Sequence, residues 1–411
     1  MTQIDYNFIR QQFPAFSEPS LQGFAFFQNA GGSYACGQVI DRLNRYYRET
    51  KMQPGSFSPA SSLGEKLMDE SHVRLAAYMN VGADEVHFGP STSMNTYVLS
   101  HAFRPMWSDG DEIIVTNQDH EANSGAWRRM ANTGLIVREW SIDQESGVLD
   151  PADLDELLNE RTRMVVFPHC SNVVGHINDV AAITANIKAT TNAIVVVDGV
   201  AYAPHGFPDV PALGVDVYLF SMYKTYGPHQ GLMVVRRELN EMVANQSHYF
   251  NSGYARKRIN PAGPDHAQVA SAQGVADYFD AVYAHHFDEE VDSAEKGRRL
   301  HKLFRDTESV HIATIFDYLK QRNDVTIVGP SDVATHAATL SVTLHDKSPA
   351  FVAREMAEHD VGVAHGDFYG VRPLLGMGIP LDPGVLRISF VHYTTDAEVQ
   401  QLLKALDTVL A

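Results

Sequence analysis

Residues 195–237 read VVVDGVAYAPHGFPDVPALGVDVYLFSMYKTYGPHQGLMVVRR, and the reading of the whole chain turns on them. Val195-Val196-Val197 is a continuous apolar run ending in Asp198. Val217 to Phe220 is a second such run, passing through Ser221, Met222 and Tyr223 to Lys224. Continuous rather than alternating apolar runs of this length mark strands covered on both faces. Each strand delivers one ionisable residue at its C-terminal end, the edge where ligands lie in open α/β sheets. Asp198 and Lys224 are therefore expected to face one crevice. The same residues also admit a plainer reading, with Asp198 capping the next helix and Lys224 a solvated loop residue.

An amine and a carboxylate at one crevice suit pyridoxal phosphate. The lysine forms a Schiff base with the cofactor aldehyde, and the carboxylate keeps the pyridine nitrogen protonated, which makes the ring an electron sink. The segment as a whole resembles the cofactor segment of class V aminotransferases, the fold-type-I group that includes cysteine desulfurases and selenocysteine lyases. That pattern runs apolar strand, Asp, apolar strand, Ser-x-His-Lys, then Tyr-Gly-Pro and Gly. Asp198, Ser221, Lys224, Tyr226-Gly227-Pro228 and Gly231 match it. The resemblance extends through nearly the whole chain.

Composition limits the alternatives. The 411 residues are enough for a large core, with ordinary apolar content and 20% charged residues. A formal net charge of −18 argues against nucleic acid or an anionic membrane as partner. No apolar run approaches a bilayer span, and MTQIDYNFIRQQFPAF lacks the features of a secretory signal, so a cytoplasmic location is expected. Cys36 and Cys170 lie far apart without CxxC spacing and read as reduced thiols. The 19 histidines form no HExxH or His/Cys cluster, so no metal is expected and an organic cofactor is left to do the chemistry.

Strands alternating with helical patterns give an α/β protein. The resemblance implies fold type I: a large domain on a mostly parallel seven-stranded sheet, a small C-terminal α/β domain, and a homodimer. The expected division is an N-terminal segment, residues 1–20, packing on the small domain, a large domain over 21–282 and a small domain over 283–411. Locally, a helix is expected from Asp5 to Phe16 and a strand over Phe24–Phe27. Packing helices are expected at Val39–Tyr47 and Leu63–Met79, and a long charged helix from Tyr283 to Arg322. Residues 337–344 and 385–390 alternate like strands covered on one face. A final amphipathic helix over 394–410 opens with the capping pattern Thr395-x-x-Glu398.

Further site residues come from the resemblance. Ser91-Thr92-Ser93 follows a strand and opens a helix, where free N–H groups favour an anion, although the residues alone favour a plain Ser/Thr cap. The family holds the cofactor phosphate there with Gly-x-Thr-Glu, the Glu being replaced by Thr92. His120 matches a His that stacks on the cofactor ring, and Asn172 an Asn that donates to the phenolic oxygen. Asn29, Ala30 and Gly31 match backbone that meets the substrate carboxylate, and Arg387 an Arg that clamps it. A structural salt bridge is the other reading of Arg387, since a buried Arg needs a partner.

The chain also departs from the desulfurase pattern. Ala201 replaces a Gln that serves the phenolic oxygen, so that hydrogen bond is either missing or made by a neighbour such as Tyr202. Tyr223 replaces the His before the lysine, which is thought to shuttle protons. Pro264 stands where relatives carry a Thr that reaches the partner subunit's phosphate. Most tellingly, the loop 364–374 (AHGDFYGVRPL) holds no Cys, whereas desulfurases carry their sulfur-accepting Cys there. The resemblance therefore implies a small amino acid or its sulfur conjugate as substrate and Cys-independent C–S bond cleavage by β-elimination. Transamination and epimerisation remain open, as does a non-catalytic cofactor-binding protein. Lys224, His120 and Tyr223 are the candidate catalytic residues. Phe368, Tyr369 and Arg372 are candidates to line the substrate pocket, where Arg372 serves a second carboxylate or is a solvated loop residue.

Overall fold

The computed structural model describes residues 3–411. After an N-terminal helix (Tyr6–Gln11) and a short strand β1 (Ala25–Phe26), a large sheet is assembled. It comprises β2 (Val86–Gly89), β3 (Glu112–Thr116), β4 (Ile136–Trp140), β5 (Thr162–Pro168), β6 (Ile194–Asp198), β7 (Val217–Ser221) and β8 (Gly231–Val235). Its seven strands lie in the order β2-β8-β7-β6-β5-β3-β4. β4, β3, β5, β6 and β7 are mutually parallel, and β8 runs antiparallel to both its neighbours.

The apolar runs are explained by what covers the two faces. Val195 and Val197 of β6 enter one core with Val165 and Phe167 of β5, while Val196 enters the other with Met164 and Val166. Successive side chains point to opposite faces, so a strand clad on both sides must be apolar at every position. Asp198 is the first polar residue of β6 because it is where the cladding ends.

The C-terminal third adds β9 (Val325–Ile327), β10 (Thr339–Leu344), β11 (Val361–Gly362), β12 (Ala364–Gly366) and β13 (Val385–Ser389). Of these, β12-β13-β10-β9 form an antiparallel sheet. One face is covered by the long helix Ser293–Lys320, through Ile312, Ile315 and Phe316, and by the last helix Asp396–Val409, through Val399, Leu402 and Leu406. That last helix carries the expected capping box, with Thr395 and Glu398 satisfying each other's backbone N–H groups.

Several local expectations are corrected. The N-terminal helix stops at Gln11, and Pro14 opens a separate 3-10 turn (Pro14–Ser17), because proline disfavours helical backbone before it and lacks an N–H. The single long helix expected from Tyr283 is two: Gly274–His286 ends before the acidic run 288–292, and Asp292 caps Ser293–Lys320 by accepting from Glu295 N. Carboxylates are unfavourable at a helix C-terminus and favourable at an N-terminus, so the break falls where the acids are. Residues 25–27, assigned from sequence to the large domain, belong to the small one. β1 pairs in parallel with β11, and Ala25 and Phe27 pack in the small-domain core, which covers an otherwise open strand edge. The N-terminal segment straddles both domains. Ile9 and Phe13 enter the large core beside Tyr226 and Tyr278, while Arg10 reaches Glu398 at 2.8 Å.

Candidate active site

At the C-terminal ends of β5, β6 and β7 lies a pocket of about 160 Å³, and Asp198 and Lys224 line it together. Lys224 ends the 3-10 turn Met222–Lys224 that follows β7. The chain then doubles back into β8 through Tyr226, held at φ +66°, with Gly227 N and Thr225 N both donating to Met222 O. This tight return fixes the lysine at the pocket wall. Burial, reinforced by the charge of Arg387, holds the Lys224 amine down to about 8, against the pull of Asp198. Asp198 Oδ1 accepts from Val200 N at 2.8 Å, and burial raises its pKa to about 6, opposed by that hydrogen bond and by Lys224. A positive ring nitrogen beside it would restore the carboxylate.

The helix Thr92–Phe103 points its N-terminus into the same pocket. Ser91 caps it, its side chain accepting from Met94 N at 3.2 Å, and Thr92 Oγ1 lies 2.8 Å from Ser221 Oγ. Ser91, Thr92, Ser93 and Ser221 thus stand together around free helix N–H groups, a cradle suited to phosphate. β8 passes so close beneath that a Cβ on Gly231 would lie 2.4 Å from Ser91 C and 2.6 Å from Thr92 N. Only glycine permits that approach.

His120 lines the pocket and caps the next helix, Glu121–Arg128, its Nδ1 accepting from Ala122 N at 3.0 Å. That bond leaves the proton on Nε2. Burial, with smaller contributions from Lys224 and Arg387, lowers its pKa to about 3, so the ring is neutral and can lie flat on a cofactor. Asn172 also lines the pocket. Its Nδ2 donates to Phe368 O at 3.1 Å, while its buried Oδ1 has no partner. As placed it offers an acceptor, and donation to a phenolic oxygen requires the amide turned end for end. Ala201 contributes only a methyl group. Tyr202 does not replace the missing Gln: its ring stacks on His169 at 3.5 Å and its hydroxyl meets His301 Nε2 at 3.2 Å. Cys170 lines the pocket too, but burial pushes its thiol up to about 12.

The small domain does not line this pocket but borders it, touching the lining residues Asn172 and His120. Arg387, on β13, is buried, and burial lowers its pKa to about 9. Its Nη1 donates to Asn172 O at 3.0 Å, Nε has no hydrogen bond, and the Phe368 ring covers the guanidinium at 3.7 Å. The alternative reading of a structural salt bridge fails, because no carboxylate among the described residues lies within 4 Å of it. Phe368 and Tyr369 both adopt left-handed backbone, at φ +56° and +55°. Tyr369 is exposed, its ring 5.6 Å from His120. Arg372 faces Glu121 at 3.6 Å. Asn29 and Ala30 do not line the main pocket. They border a small adjoining cavity, where Ala30 N donates to Ser389 Oγ at 2.9 Å, and Gly31 lines neither space.

Sequence reasoning missed His229, which lines the pocket with its ring parallel to Tyr223 at 4.7 Å. Tyr223 is half-buried, and burial raises its pKa while Ser221 opposes, so the hydroxyl is a donor at neutral pH. The available signal was a His directly after Tyr-Gly-Pro, but only the hairpin return shows that it comes back against Tyr223.

The residues fit pyridoxal phosphate on the structure's own terms. A buried amine, a buried carboxylate with one oxygen uncommitted by Val200, an unpartnered Asn172 oxygen and a glycine-dependent anion cradle surround one pocket. Known proteins point the same way. The model of the aminotransferase class-V family matches residues 25–402. The aminotransferase-like protein FGM3 of Gibberella zeae is 33% identical over 414 residues, covering 98% of both chains. The cysteine desulfurase-like protein ustD of Aspergillus flavus is 26% identical over 99% of this chain and 91% of that protein. A cysteine desulfurase structure from Thermococcus onnurineus superposes with a TM-score of 0.85 at 21% identity, covering 100% of this chain and 99% of that one, a likeness in fold. By its match along nearly the whole length and by the arrangement of its pocket, the chain belongs to the class V aminotransferase family of pyridoxal-phosphate-dependent enzymes.

Proposed function

We propose that this enzyme takes a small amino acid or its sulfur conjugate, removes the α-proton and expels a substituent from Cβ, without a protein thiol taking part. One observation carries the reading: a full set of cofactor-facing residues coexists with a 364–374 loop that holds no cysteine, while burial keeps Cys36 and Cys170 as thiols at about 12.

Bound pyridoxal phosphate would supply an electron sink for a carbanion at Cα. Asp198 would hold the ring nitrogen's proton, His120 would cover the ring, and Ser91, Thr92, Ser93 and Ser221 would seat the phosphate. Arg387, lacking a carboxylate partner, would take the substrate α-carboxylate in a two-pronged hydrogen bond. The ring of Phe368 must then make room or pack on the substrate. Lys224, with its amine near neutrality, is suited to take the α-proton once free. Tyr223 is a donor beside the phosphate cradle. We also propose a homodimer, since Tyr249, Phe250 and Tyr254 are exposed within one short stretch.

The test is spectroscopic. Purified protein given pyridoxal phosphate should develop a visible band that Lys224→Ala abolishes, and a panel including cysteine, cystine and sulfur conjugates should yield pyruvate with sulfide or thiol. A band that Lys224→Ala leaves at full intensity would sink the assignment. Conversion to the pyridoxamine spectrum with release of a keto acid would instead establish transamination, the second reading, favoured by the 33% identity to a protein named aminotransferase-like.

A further inference from the structure

Lys224, Val200 and Ala201 are shared between the main pocket and a second, smaller cavity of about 10 Å³. That is about the least volume that holds one water. Its remaining lining includes Asn29, His205 and Thr339. Asn29 is 2% exposed. Its Nδ2 is committed to the Tyr393 and Ser33 hydroxyls, and its Oδ1 has no partner. The cavity therefore offers a water the two to four polar neighbours it needs.

His205 is the unusual neighbour. It ends the 3-10 turn Ala203–His205, is almost wholly buried, and sets Nδ1 2.8 Å from Glu308 Oε2, close but poorly aligned. Glu308 comes from the middle of the long helix Ser293–Lys320 and is fully buried. Neither of its oxygens makes a well-aligned hydrogen bond, and Arg305 Nη1 lies 3.8 Å away. A carboxylate placed so deeply costs several kcal/mol unless an imidazole or guanidinium answers it. The position of Ala201 makes the space: a longer side chain there would enter it, and Tyr202 is turned away onto His169.

We propose that this cavity is a site for one ordered water joining Lys224 Nζ to His205 Nε2, with Glu308 orienting the imidazole, so that His205 is a positioning and proton-accepting partner of the lysine. The N–H bond of the Lys224 ammonium breaks toward the water oxygen as an O–H proton of that water passes to Nε2. The products are a neutral amine, the water and an imidazolium beside Glu308, and the reverse path returns the proton. The charged and titratable groups facing His205 are Glu308, Arg305 and His301 from the long helix, His392 after β13, and Lys224.

The inference rests on Lys224 being the reactive amine, and its test is independent of the cofactor. Cofactor-free protein is treated with acetic anhydride over a pH series, and acetylation of the Lys224 peptide is followed by mass spectrometry. The wild-type midpoint is expected at about 8. His205→Phe removes the acceptor and Ala201→Val fills the cavity without touching the buried Glu308. Each should lower the midpoint by about one pH unit, the size of effect that removing a hydrogen bond or near charge produces. The double variant should move it no further than either alone, and His205→Gln, which keeps an acceptor, should stay near wild type. An unmoved midpoint in His205→Phe, shifts that add in the double variant, or His205→Gln behaving like His205→Phe would each overturn the relay. Failure of wild-type protein to form the visible band with pyridoxal phosphate would fail the cofactor reading while these midpoints still decide the relay.

Discussion

The two sides of the site, the large-domain wall of the pocket and the small-domain face that borders it, are built on opposite plans. The large-domain wall stands on strand ends and a helix start whose polar groups are largely committed: Asp198 to Val200, Ser91 to Met94, Thr92 to Ser221, His120 to Ala122. The small-domain side, which borders the pocket, keeps its groups in need: Arg387 has no counter-charge and an unbonded Nε, and Phe368 and Tyr369 have left-handed backbone. A satisfied wall holds a permanent resident in fixed geometry. A face with unmet charge and stored strain is suited to completion by a guest, which under the proposed function is the substrate carboxylate.

The largest effect should come from the exception on the settled wall, the buried amine of Lys224. Lys224→Ala should cost about 10³-fold in turnover. In the cofactor-free state the sign reverses for stability. The folded amine sits at about 8 against 10.5 for the free side chain, so between those values the unfolded chain binds more protons and stability rises with pH. Lys224→Met should thus be more stable than wild type by about 3 kcal/mol below about pH 8, with the gap gone above about pH 10.5, as denaturant titrations would show. A gap independent of pH would mean that Lys224 is not strained by burial and that the contrast between the two sides is misdrawn.

Arg387→Leu sharpens the other side. Loss of a charged two-pronged contact should weaken substrate binding by about 2 to 3 kcal/mol, read as KM. The cofactor band should persist, and thermal stability should hold or rise, because removing a buried charge without a counter-ion outweighs the one hydrogen bond lost at Asn172 O. A fall in stability would reveal a counter-ion for Arg387 and make it a structural residue. Gly231→Ala probes the cradle. Its Cβ would collide with Ser91 and Thr92 backbone, and a loss of about 1 to 3 kcal/mol in stability with weaker cofactor binding is expected. The smallest effect is Tyr369→Gly. Releasing left-handed strain should stabilise the protein by about 0.5 kcal/mol once the added freedom of the unfolded glycine is subtracted. A destabilised variant would show that the exposed tyrosine is held by contacts rather than strained.

What sequence discloses follows the same division. β6 and β7 are legible because full cladding forces every residue to be apolar, and the polar residue ending each run marks the ligand edge. His120 and Ser91 are placed by motif, yet their second role as helix caps needs the backbone. The break at 288–292 is written in the acids but is overridden by helical spacing on either side. Asn29 and Ala30 read as mouth residues, and the pairing of β1 with β11 carries them to the adjoining cavity instead. His229 and the His205–Glu308 pair are illegible, since their meaning lies in contacts between segments that no local pattern links.

The alternation of β6 between two cores has a bearing on how this enzyme tolerates change. Val195 and Val197 key the strand from one side and Val196 from the other, so the position of Asp198 is over-determined, as a shaft is by two separate bearings. Wear on one side, a methylene removed among the helices there, leaves the other still aligning the carboxylate. The acid can therefore keep its aim while the packing of either flank drifts.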